Sequence, residues 1–134
     1  MRGSMQPRPL IYVRDLEASS RWYQFLFDCG GGQSGSDHAL LTGDGQVILE
    51  LRACGPDDRF SADQSLRSNR NGLALWFETE EFHATLYRAR SLEAVFLEEP
   101  NLNLQSSQLE FRIRDLDGQV LVFTGQASTV GKTA

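Results

Sequence analysis

Two cysteines, two histidines and a run of three glycines are the first places to look for chemistry in this sequence. Cys29 and Cys54 have no histidine at the spacing of a nucleophilic pair, and their isolated positions favour free thiols over a metal site or a disulfide framework. His38 precedes a strand and His83 lies in the middle of a helical stretch, so we expect both to be solvated surface side chains. Gly30-Gly31-Gly32 follows a helix and lacks the lysine and the Ser or Thr of a phosphate-binding loop, which predicts a helix stop and a turn.

A carboxylate and two aromatic rings are the remaining candidates. In the strand predicted over residues 46–52, apolar and polar residues alternate, and Glu50 belongs to the polar set. The apolar positions of that strand are Val47, Leu49 and Leu51. Tyr12 and Trp76 each lie in a short apolar strand, and both rings have a polar atom that suits a half-exposed site.

Two strand-to-helix turns, half a chain apart, position these two rings. The stretch 10–27 is a short apolar strand that runs through Asp15 into an amphipathic helix, and the stretch 74–89 repeats this order. Asp15 and Thr79 are the predicted N-caps, and acidic residues are expected in the first turn of each helix. The repeat predicts two copies of one unit in a pseudo-symmetric domain, because two copies are too few for a solenoid.

Each copy continues with strands that are separated by turn signals. The predicted strands are Asp37 to Thr42, Val47 to Arg52, Ala94 to Leu97, Leu109 to Ile113 and Val120 to Phe123. Gly43-Asp44-Gly45 joins the first two as a hairpin. Trp22 lies one step off the buried stripe of the first helix, so we expect it at a subunit contact or over the sheet edge. Both halves are therefore predicted to be βαβββ units of an α+β fold.

Length and charge limit the class of protein. A chain of 134 residues can bury a real core without metal or disulfide support. The net charge of −5 argues against a nucleic-acid partner and favours a cationic small molecule. No stretch is long and apolar enough to span a bilayer, and the N-terminus lacks a signal peptide, so we expect no membrane partner and a cytoplasmic protein.

The predicted boundaries follow from these shifts in composition. Met1 to Ser4 before Met5 resembles an expression-vector leader, and everything after Gly125 is small and polar. The expected segments are a leader over 1–8, one domain over 9–125 with modules 9–53 and 72–125, a polar connector over 54–71, and a loosely ordered tail over 126–134.

The order and spacing of four short stretches resemble the vicinal oxygen chelate superfamily, which holds glyoxalases, extradiol dioxygenases, fosfomycin resistance enzymes and bleomycin resistance proteins. These stretches are Val13 to Ser19 followed by Trp22-Tyr23, Ile48 to Leu51, Glu99-Pro100, and Asp115 to Gly118. The resemblance implies two βαβββ modules that form a curled, cup-shaped mixed sheet with the helices outside. It also implies a binding or active site in the cup and assembly as a homodimer.

The resemblance also implies where a metal would bind. Metal-dependent members of the superfamily place one ligand on the first strand and one on the last strand of each module, typically His, Glu, His and Glu. The matching residues here are Arg8, Glu50, Gly72 and Val122. Of these only Glu50 can donate to a metal, and a divalent ion needs three or more protein ligands. We therefore expect neither a metal nor another cofactor.

Strand periodicity then predicts which residues line the cup. If Arg8 and Gly72 face it, alternation adds Leu10, Tyr12, Ala74 and Trp76 and directs Ile11, Val13, Leu75 and Phe77 to the helices. The expected ligand-binding residues are Arg8, Leu10, Tyr12, Glu50, Trp76, Glu110, Arg112 and Val122, with Gln46 and Val120 beside them. In the simpler alternative, Tyr12 and Trp76 fill space between the modules, and Glu50 pairs with Arg8 or Arg112.

Three functions are consistent with this arrangement. The first hypothesis is a metal-independent protein of the bleomycin resistance type that sequesters a planar aromatic or cationic, drug-like molecule. The alternative is a lyase, isomerase or dioxygenase of the glyoxalase type, with Glu50 as general base or as the anchor of a metal completed by His38 or a partner chain. An interaction module with a filled cup is the third. In each case we expect a twofold homodimer, with Tyr12, Glu50, Trp76 and Arg112 in each of two equivalent sites.

Overall fold

The computed structural model describes residues 5–54 and 74–126, with the backbone alone for residues 32–34. The chain divides into two compact units, Met1–Asp63 and Gln64–Ala134, and each is described by itself. The predicted module boundaries stay a prediction. The start of the leader, nearly all of the connector 54–71, Gly72, and the tail beyond Gln126 lie outside the described residues.

The first unit is a four-stranded mixed sheet with one helix. Its elements are β1 (Leu10–Val13), α1 (Leu16–Phe27), β2 (Gly30–Ser34), β3 (His38–Gly43) and β4 (Gln46–Ala53). The strand order is β1-β4-β3-β2, in which β1 runs parallel to β4 and the other neighbours are antiparallel. The first and last strands of the unit therefore lie side by side.

Helix α1 begins as predicted and packs against β3 and β4. The carboxylate of Asp15 accepts the N–H of Ala18 at 3.1 Å, which satisfies a donor that the helix start leaves open. The buried residues of the helix are Ser19, Trp22, Tyr23 and Leu26. Trp22 was expected at a subunit contact or over the sheet edge. It is buried, at 7% exposure, and meets the ring of Tyr23 edge-on at 4.9 Å, so it does not offer a surface for a subunit contact. A helix that packs on a sheet buries a broad stripe of its surface, broader than the a/d seam of a coiled coil. Trp22 lies within this buried stripe.

The glycine run is a strand rather than the predicted turn. Helix α1 stops at Asp28, which takes the left-handed conformation with φ of 53° and donates its N–H to the last turn. Aspartate tolerates that conformation better than most residues, so the glycines are not needed to end the helix. Gly30 and Gly31 instead pair with Thr42 and Leu41 of β3. A run of three glycines has no apolar or polar periodicity, which is why the pattern did not predict a strand here.

The hairpin between β3 and β4 has a two-residue loop. Asp44 and Gly45 both have positive φ, 53° and 78°, and the flanking Gly43 and Gln46 pair. Positive φ at both loop positions is the requirement of a type I′ turn, whose twist matches that of the two strands. The predicted hairpin is therefore present, with its turn at the Asp-Gly pair.

The second unit repeats the same layout. Its elements are β5 (Ala74–Glu78), α2 (Phe82–Ser91), β6 (Val95–Asn103), β7 (Gln108–Arg114) and β8 (Val120–Gln126). The order is β5-β8-β7-β6, with β5 parallel to β8. The two units are thus βαβββ modules of an α+β fold, as the sequence predicted. No helix in the described ranges is long and apolar enough to cross a membrane.

Helix α2 begins later than the sequence predicted. The N-cap is Glu81 and the helix starts at Phe82. Glu80 and Glu81 therefore precede the first turn, and His83 lies at the start of the helix instead of its middle. Thr79, the predicted cap, is held to the sheet because its N–H donates to the carbonyl of Thr124 at 2.9 Å. Its hydroxyl still accepts the N–H of Glu81 at 2.9 Å, which turns the chain toward the helix.

An aromatic cluster fills the space between α2 and the second sheet. Phe111 is fully buried and contacts Phe82, Phe96 and Phe123 with ring centroids 5.2–5.7 Å apart. Phe77 stacks on Phe123 at 5.5 Å, as expected for the helix-facing side of β5. Burying several large rings here supplies the unit with its own core and directs the alternate residues of each strand to the opposite face.

Candidate functional site

The face of the first sheet opposite α1 carries most of the predicted site residues of that unit. In β1, Ile11 and Val13 are buried, whereas Tyr12 is partly exposed and Leu10 is 36% exposed. Pairing across the sheet places residues of three strands in two rows. The first row is Leu10, Glu50 and Leu40, and the second is Tyr12, Arg52 and His38. We call these six residues, together with Arg8, the first open face.

Glu50 is the buried centre of an ion-pair cluster on the first open face. Its side chain is 10% exposed, and its Oε1 lies 3.5 Å from Nη2 of Arg8. Its Oε2 accepts Nε–H of Arg52 at 2.9 Å. The pairing with Arg8 is one of the two that the sequence suggested. Arg52 was missed, although two residues that are i and i+2 in a strand lie on the same face.

Arg52 has further neighbours in its row. Hydrogen bonding and charge attraction from Glu50, with smaller contributions from Tyr12, raise the pKa of the Arg52 guanidinium. At the end of the row, Nδ1 of His38 lies 3.1 Å from Oδ1 of Asp37. This hydrogen bond is the main cause that lowers the pKa of the exposed Asp37 carboxyl, and the charge of Arg52 adds a little. His38 is thus partly exposed and engaged by a carboxylate.

The residues of the first open face do not fit a divalent metal. Both oxygens of Glu50 face guanidinium groups, whose positive charge disfavours a cation at the same place. Among residues 5–54 and 74–126, no three His, Cys, Asp or Glu side chains are grouped closely enough to hold a metal ion. The strand register also changes which residue of β8 corresponds to Glu50. Leu10 pairs with Glu50 and Ala74 with Val120, so Val120, not Val122, is the equivalent of Glu50. Either residue is a valine and offers no ligand.

Trp76 dominates the face of the second sheet opposite α2, which we call the second open face. Its indole Nε1–H donates to Oγ1 of Thr124 at 3.0 Å, and Thr124 is only 2% exposed. Trp76 as a residue is 66% exposed. Val122 lies beside Trp76 in the register and is buried, whereas Ala74 is exposed. A fixed hydrogen bond on one edge and an exposed ring make Trp76 a stacking surface of defined orientation.

Arg112 lies between two carboxylates on the same sheet. Its Nη2 is 3.0 Å from Oε2 of Glu110, and its Nε is 3.2 Å from Oε1 of Glu98. Glu110 has a side chain only 13% exposed, and Glu98 and Arg112 are about half exposed. The cluster is one guanidinium with two carboxylates, so its formal charge is negative, opposite to that of the Arg8, Glu50 and Arg52 cluster.

A pocket opens at the ends of β5 and β8, and Trp76 is not among its lining residues. Its volume is about 640 Å³, and it lies between the sheet and the start of α2. The lining residues are Glu78, Thr79, Glu80, Phe82, Gln108, Thr124, Gly125 and Gln126. Gly125 keeps this region tight, because a Cβ there would be 2.7 Å from Cβ of Phe82 and 3.1 Å from the carbonyl oxygen of Thr79. The pocket thus has an aromatic wall, two carboxylates and two amides.

The structure adds three residues to the site predicted for the second unit: Glu78, Thr124 and Glu98. Glu78, two positions after Trp76 in β5, could have been found from strand alternation. Thr124 and Glu98 could not, because only the pairing of distant strands brings them to Trp76 and Arg112. Gly72 lies outside the described residues. Cys29 and Cys54 form no disulfide and are partly buried, and His83 is exposed at the surface.

Comparison with known proteins identifies the architecture. The sequence matches no family model and no curated protein. Its structure is similar to the fosfomycin resistance protein FosX from Listeria monocytogenes, with a TM-score of 0.68 and 13% identity over 94% of this chain and 96% of that one. It is also similar to a bleomycin resistance determinant encoded on transposon Tn5, with a TM-score of 0.67 and 15% identity over 92% of this chain and 99% of that one. For a glyoxylase/bleomycin resistance protein/dioxygenase domain from Frankia sp. EAN1pec, the TM-score is 0.66 and the identity is 23% over 93% of both chains.

These matches cover nearly the whole chain, and they agree with the two βαβββ modules built above from strand order and register. At such low identity they establish the fold and leave the ligand open. The chain therefore has the fold of the vicinal oxygen chelate superfamily, as its short sequence stretches predicted.

Proposed function

We propose that this protein binds a planar aromatic or cationic small molecule without a metal and holds it without converting it. The observation that carries the proposal is Trp76, a residue that is 66% exposed yet whose indole is fixed by a hydrogen bond to buried Thr124. An exposed ring held in one orientation gives up little conformational entropy when a flat ligand stacks on it. Sequestration requires only such stacking and a few polar contacts.

Charge around Trp76 supports a cationic ligand. Glu78 lines a small pocket together with Trp76. Glu78 and Glu80 also line the larger pocket at the ends of β5 and β8. The cluster of Glu98, Glu110 and Arg112 adds one net negative charge to the same sheet. A cation that stacks on an indole gains from the ring quadrupole as well as from nearby carboxylates. The second open face therefore combines the two features that attract aromatic cations.

The state of Glu50 favours binding over catalysis. A general base needs a lone pair that can reach the substrate proton, and both oxygens of Glu50 already face the guanidinium groups of Arg8 and Arg52. A metal-dependent lyase or dioxygenase needs ligands that the described residues do not group together. Two of the similar structures are named as fosfomycin and bleomycin resistance proteins, which supports a drug-like ligand.

Tryptophan fluorescence tests the proposal because the sequence has two tryptophans in different settings. Trp22 is buried and Trp76 is exposed. Bleomycin and a panel of aromatic cations should quench a Trp22→Phe variant, in which only Trp76 emits. The same compounds should leave a Trp76→Phe variant nearly unquenched. Calorimetry on Trp76→Ala should show affinity reduced by about fivefold or more, since stacked aromatic contacts contribute about 1 kcal/mol or more. Equal affinity in Trp76→Ala would exclude the second open face as the site.

We also propose that the protein is a twofold homodimer. β6 is an outer strand of the second sheet, and its residues Val95, Leu97 and Leu102 are 60%, 45% and 47% exposed. Apolar side chains on an outer strand favour a partner surface. Sedimentation should give twice the chain mass, and Leu97→Glu should reduce it to one. Leu104→Glu is the matched control, because Leu104 is 83% exposed but lies in the turn after β6. A wild-type monomer at micromolar concentration would contradict the dimer.

A further inference from the structure

We propose that the ligand of Trp76 carries a protonated alkylamine arm, and that this arm lies in the larger pocket at the ends of β5 and β8. Glu78 and Glu80, which line that pocket, would receive the ammonium group. The inference rests on the proposed function, because it names the class of ligand that the second open face takes. That class is a flat aromatic ring with a short aliphatic amine.

The larger pocket shares residues with the surroundings of Trp76. Glu78 lines it and also lines the small pocket beside the indole. Thr124 lines it too, and Oγ1 of Thr124 accepts the indole Nε1–H at 3.0 Å. Trp76 and Glu78 are two positions apart in β5, so they lie on one face of the strand with their Cα atoms about 7 Å apart. A short alkyl chain therefore reaches from a ring stacked on Trp76 to the carboxylate of Glu78.

The carboxylates of the larger pocket lack the cations that neutralise other glutamates of this unit. Each glutamate of β6 and of β7 has an arginine partner. Neither Glu78 nor Glu80 forms an ion pair with any residue that the structure describes, and no basic residue is among the described residues that line the pocket. An ammonium group in this pocket thus meets two carboxylates that have no arginine beside them.

The start of α2 opposes a cation in the pocket, but its charge is smaller. Phe82, the first residue of α2, is part of the lining. A helix N-terminus acts as about half a positive charge, whereas Glu78 and Glu80 each carry a full negative charge. The N–H of Glu81 is in addition already bonded to Oγ1 of Thr79 at 2.9 Å. The balance remains negative, which favours an amine over a carboxylate.

The rest of the lining suits an alkyl chain that ends in an ammonium group. Phe82 supplies apolar contact for the chain. Gln108 and Gln126 lie opposite each other in the register of β7 and β8, and both line the pocket. Amide oxygens accept hydrogen bonds, and an ammonium group has three N–H donors to share among amides and carboxylates. The pocket volume of about 640 Å³ is ample for such an arm, and the described lining residues all belong to the second unit.

Two acridines that differ by one amine test the arm. An aminopropyl acridine and the matched propyl acridine have the same flat cationic ring, and only the first has a terminal ammonium group. Calorimetry on the wild type at low salt should show the aminopropyl compound binding about fivefold more tightly, which is the scale of two solvent-exposed ion pairs. Adding about 0.5 M NaCl should remove most of this difference, because salt screens exposed charges.

Glu80→Gln separates the arm from the ring, because Glu80 lines the larger pocket and is not part of the small pocket with Trp76. It should reduce the ratio of the two affinities from about five to about two or less. Glu81→Gln is the matched control. It makes the same charge change at the next residue, which is exposed, does not line the pocket and makes no side-chain cap hydrogen bond. Its affinity ratio should equal that of the wild type.

The outcomes distinguish this inference from the proposed function. If Trp76→Ala weakens binding of both acridines but the wild type binds the two equally, the stacking site stands and the arm in the larger pocket is wrong. If Glu80→Gln keeps the full affinity ratio, or Glu81→Gln lowers it as much, the larger pocket does not hold the amine. If the wild type binds neither compound, or Trp76→Ala binds both as tightly as the wild type, the proposed function fails and this inference fails with it.

Discussion

The hydrogen bond between Trp76 and Thr124 gives the sharpest test of the second open face. Thr124→Val keeps the shape of the side chain and removes the acceptor of the 3.0 Å bond. The buried hydroxyl disappears together with its desolvation cost, and the N–H it leaves belongs to a residue that is 66% exposed and can bind water. No buried donor is left unpaired. The expected loss of unfolding free energy is therefore small, about 1 kcal/mol.

The effect on the ring should be larger than the effect on stability. We would measure urea unfolding and the fluorescence anisotropy of Trp76 in a Trp22→Phe background. Thr124→Val should lower the anisotropy and weaken binding of an aromatic cation, because the ring is then free to rotate. Thr85→Val is the matched control: Thr85 is 4% exposed and donates its hydroxyl hydrogen to the carbonyl of Glu81 at 2.9 Å within the same unit. It should cost similar stability and leave the anisotropy unchanged.

Two results would refute this reasoning. If Thr124→Val keeps the anisotropy of Trp76, packing and not the hydrogen bond orients the ring. If it costs several kcal/mol, the indole N–H is not accessible to water, and the ring is more enclosed than its exposed fraction indicates.

Three further predictions follow from other contacts. Gly125→Ala should lower the free energy of unfolding by about 1–3 kcal/mol, because the new methyl group would be 2.7 Å from Cβ of Phe82; unchanged urea midpoints would contradict this. The pKa of Asp37 is lowered in the folded state, so its contribution to stability is present above the usual aspartate pKa and is lost as pH falls through the lowered value. Asp37→Asn should therefore destabilise the protein at neutral pH and not in acid, and a difference that persists in acid would point to another cause. Burial, with help from the preceding carboxylate, raises the pKa of the Cys29 thiol. Iodoacetamide should thus alkylate it more slowly at mildly alkaline pH than it alkylates a small free thiol, and equal rates would contradict the assigned pKa direction.

Local features of this fold could be predicted from the sequence because their causes lie within a few residues. Asp15 caps α1 through the N–H of Ala18, three positions away. The Asp44-Gly45 loop needs positive φ at both residues, and those residue types supply it. The alternation that separates Ile11 and Val13 from Leu10 and Tyr12 also held, since it needs only the pleat of a single strand.

The alternation of apolar and polar residues did not predict burial correctly where the pairing register of two strands shifts. The strand pattern predicted Val47, Leu49 and Leu51 on one apolar face, but only Leu49 and Leu51 are fully buried. The pairing of β3 with β4 shifts between Leu41 and Thr42, so that β4 has one extra residue there. Such a bulge breaks the period of two, and a single strand does not reveal where its partner shifts.

The site was decided by tertiary structure for the same reason. The sequence alone predicted that Glu50, Tyr12 and Trp76 lie on the strand faces opposite the helices, and it offered Arg8 or Arg112 as a partner for Glu50. It did not place Thr124 beside Trp76, 48 positions away, or Glu98 beside Arg112. Those contacts exist because the first and last strands of a module pair in parallel and because β6 pairs with β7. Strand register is set by the packing of the whole sheet, and residue type within one strand carries too little information to fix it.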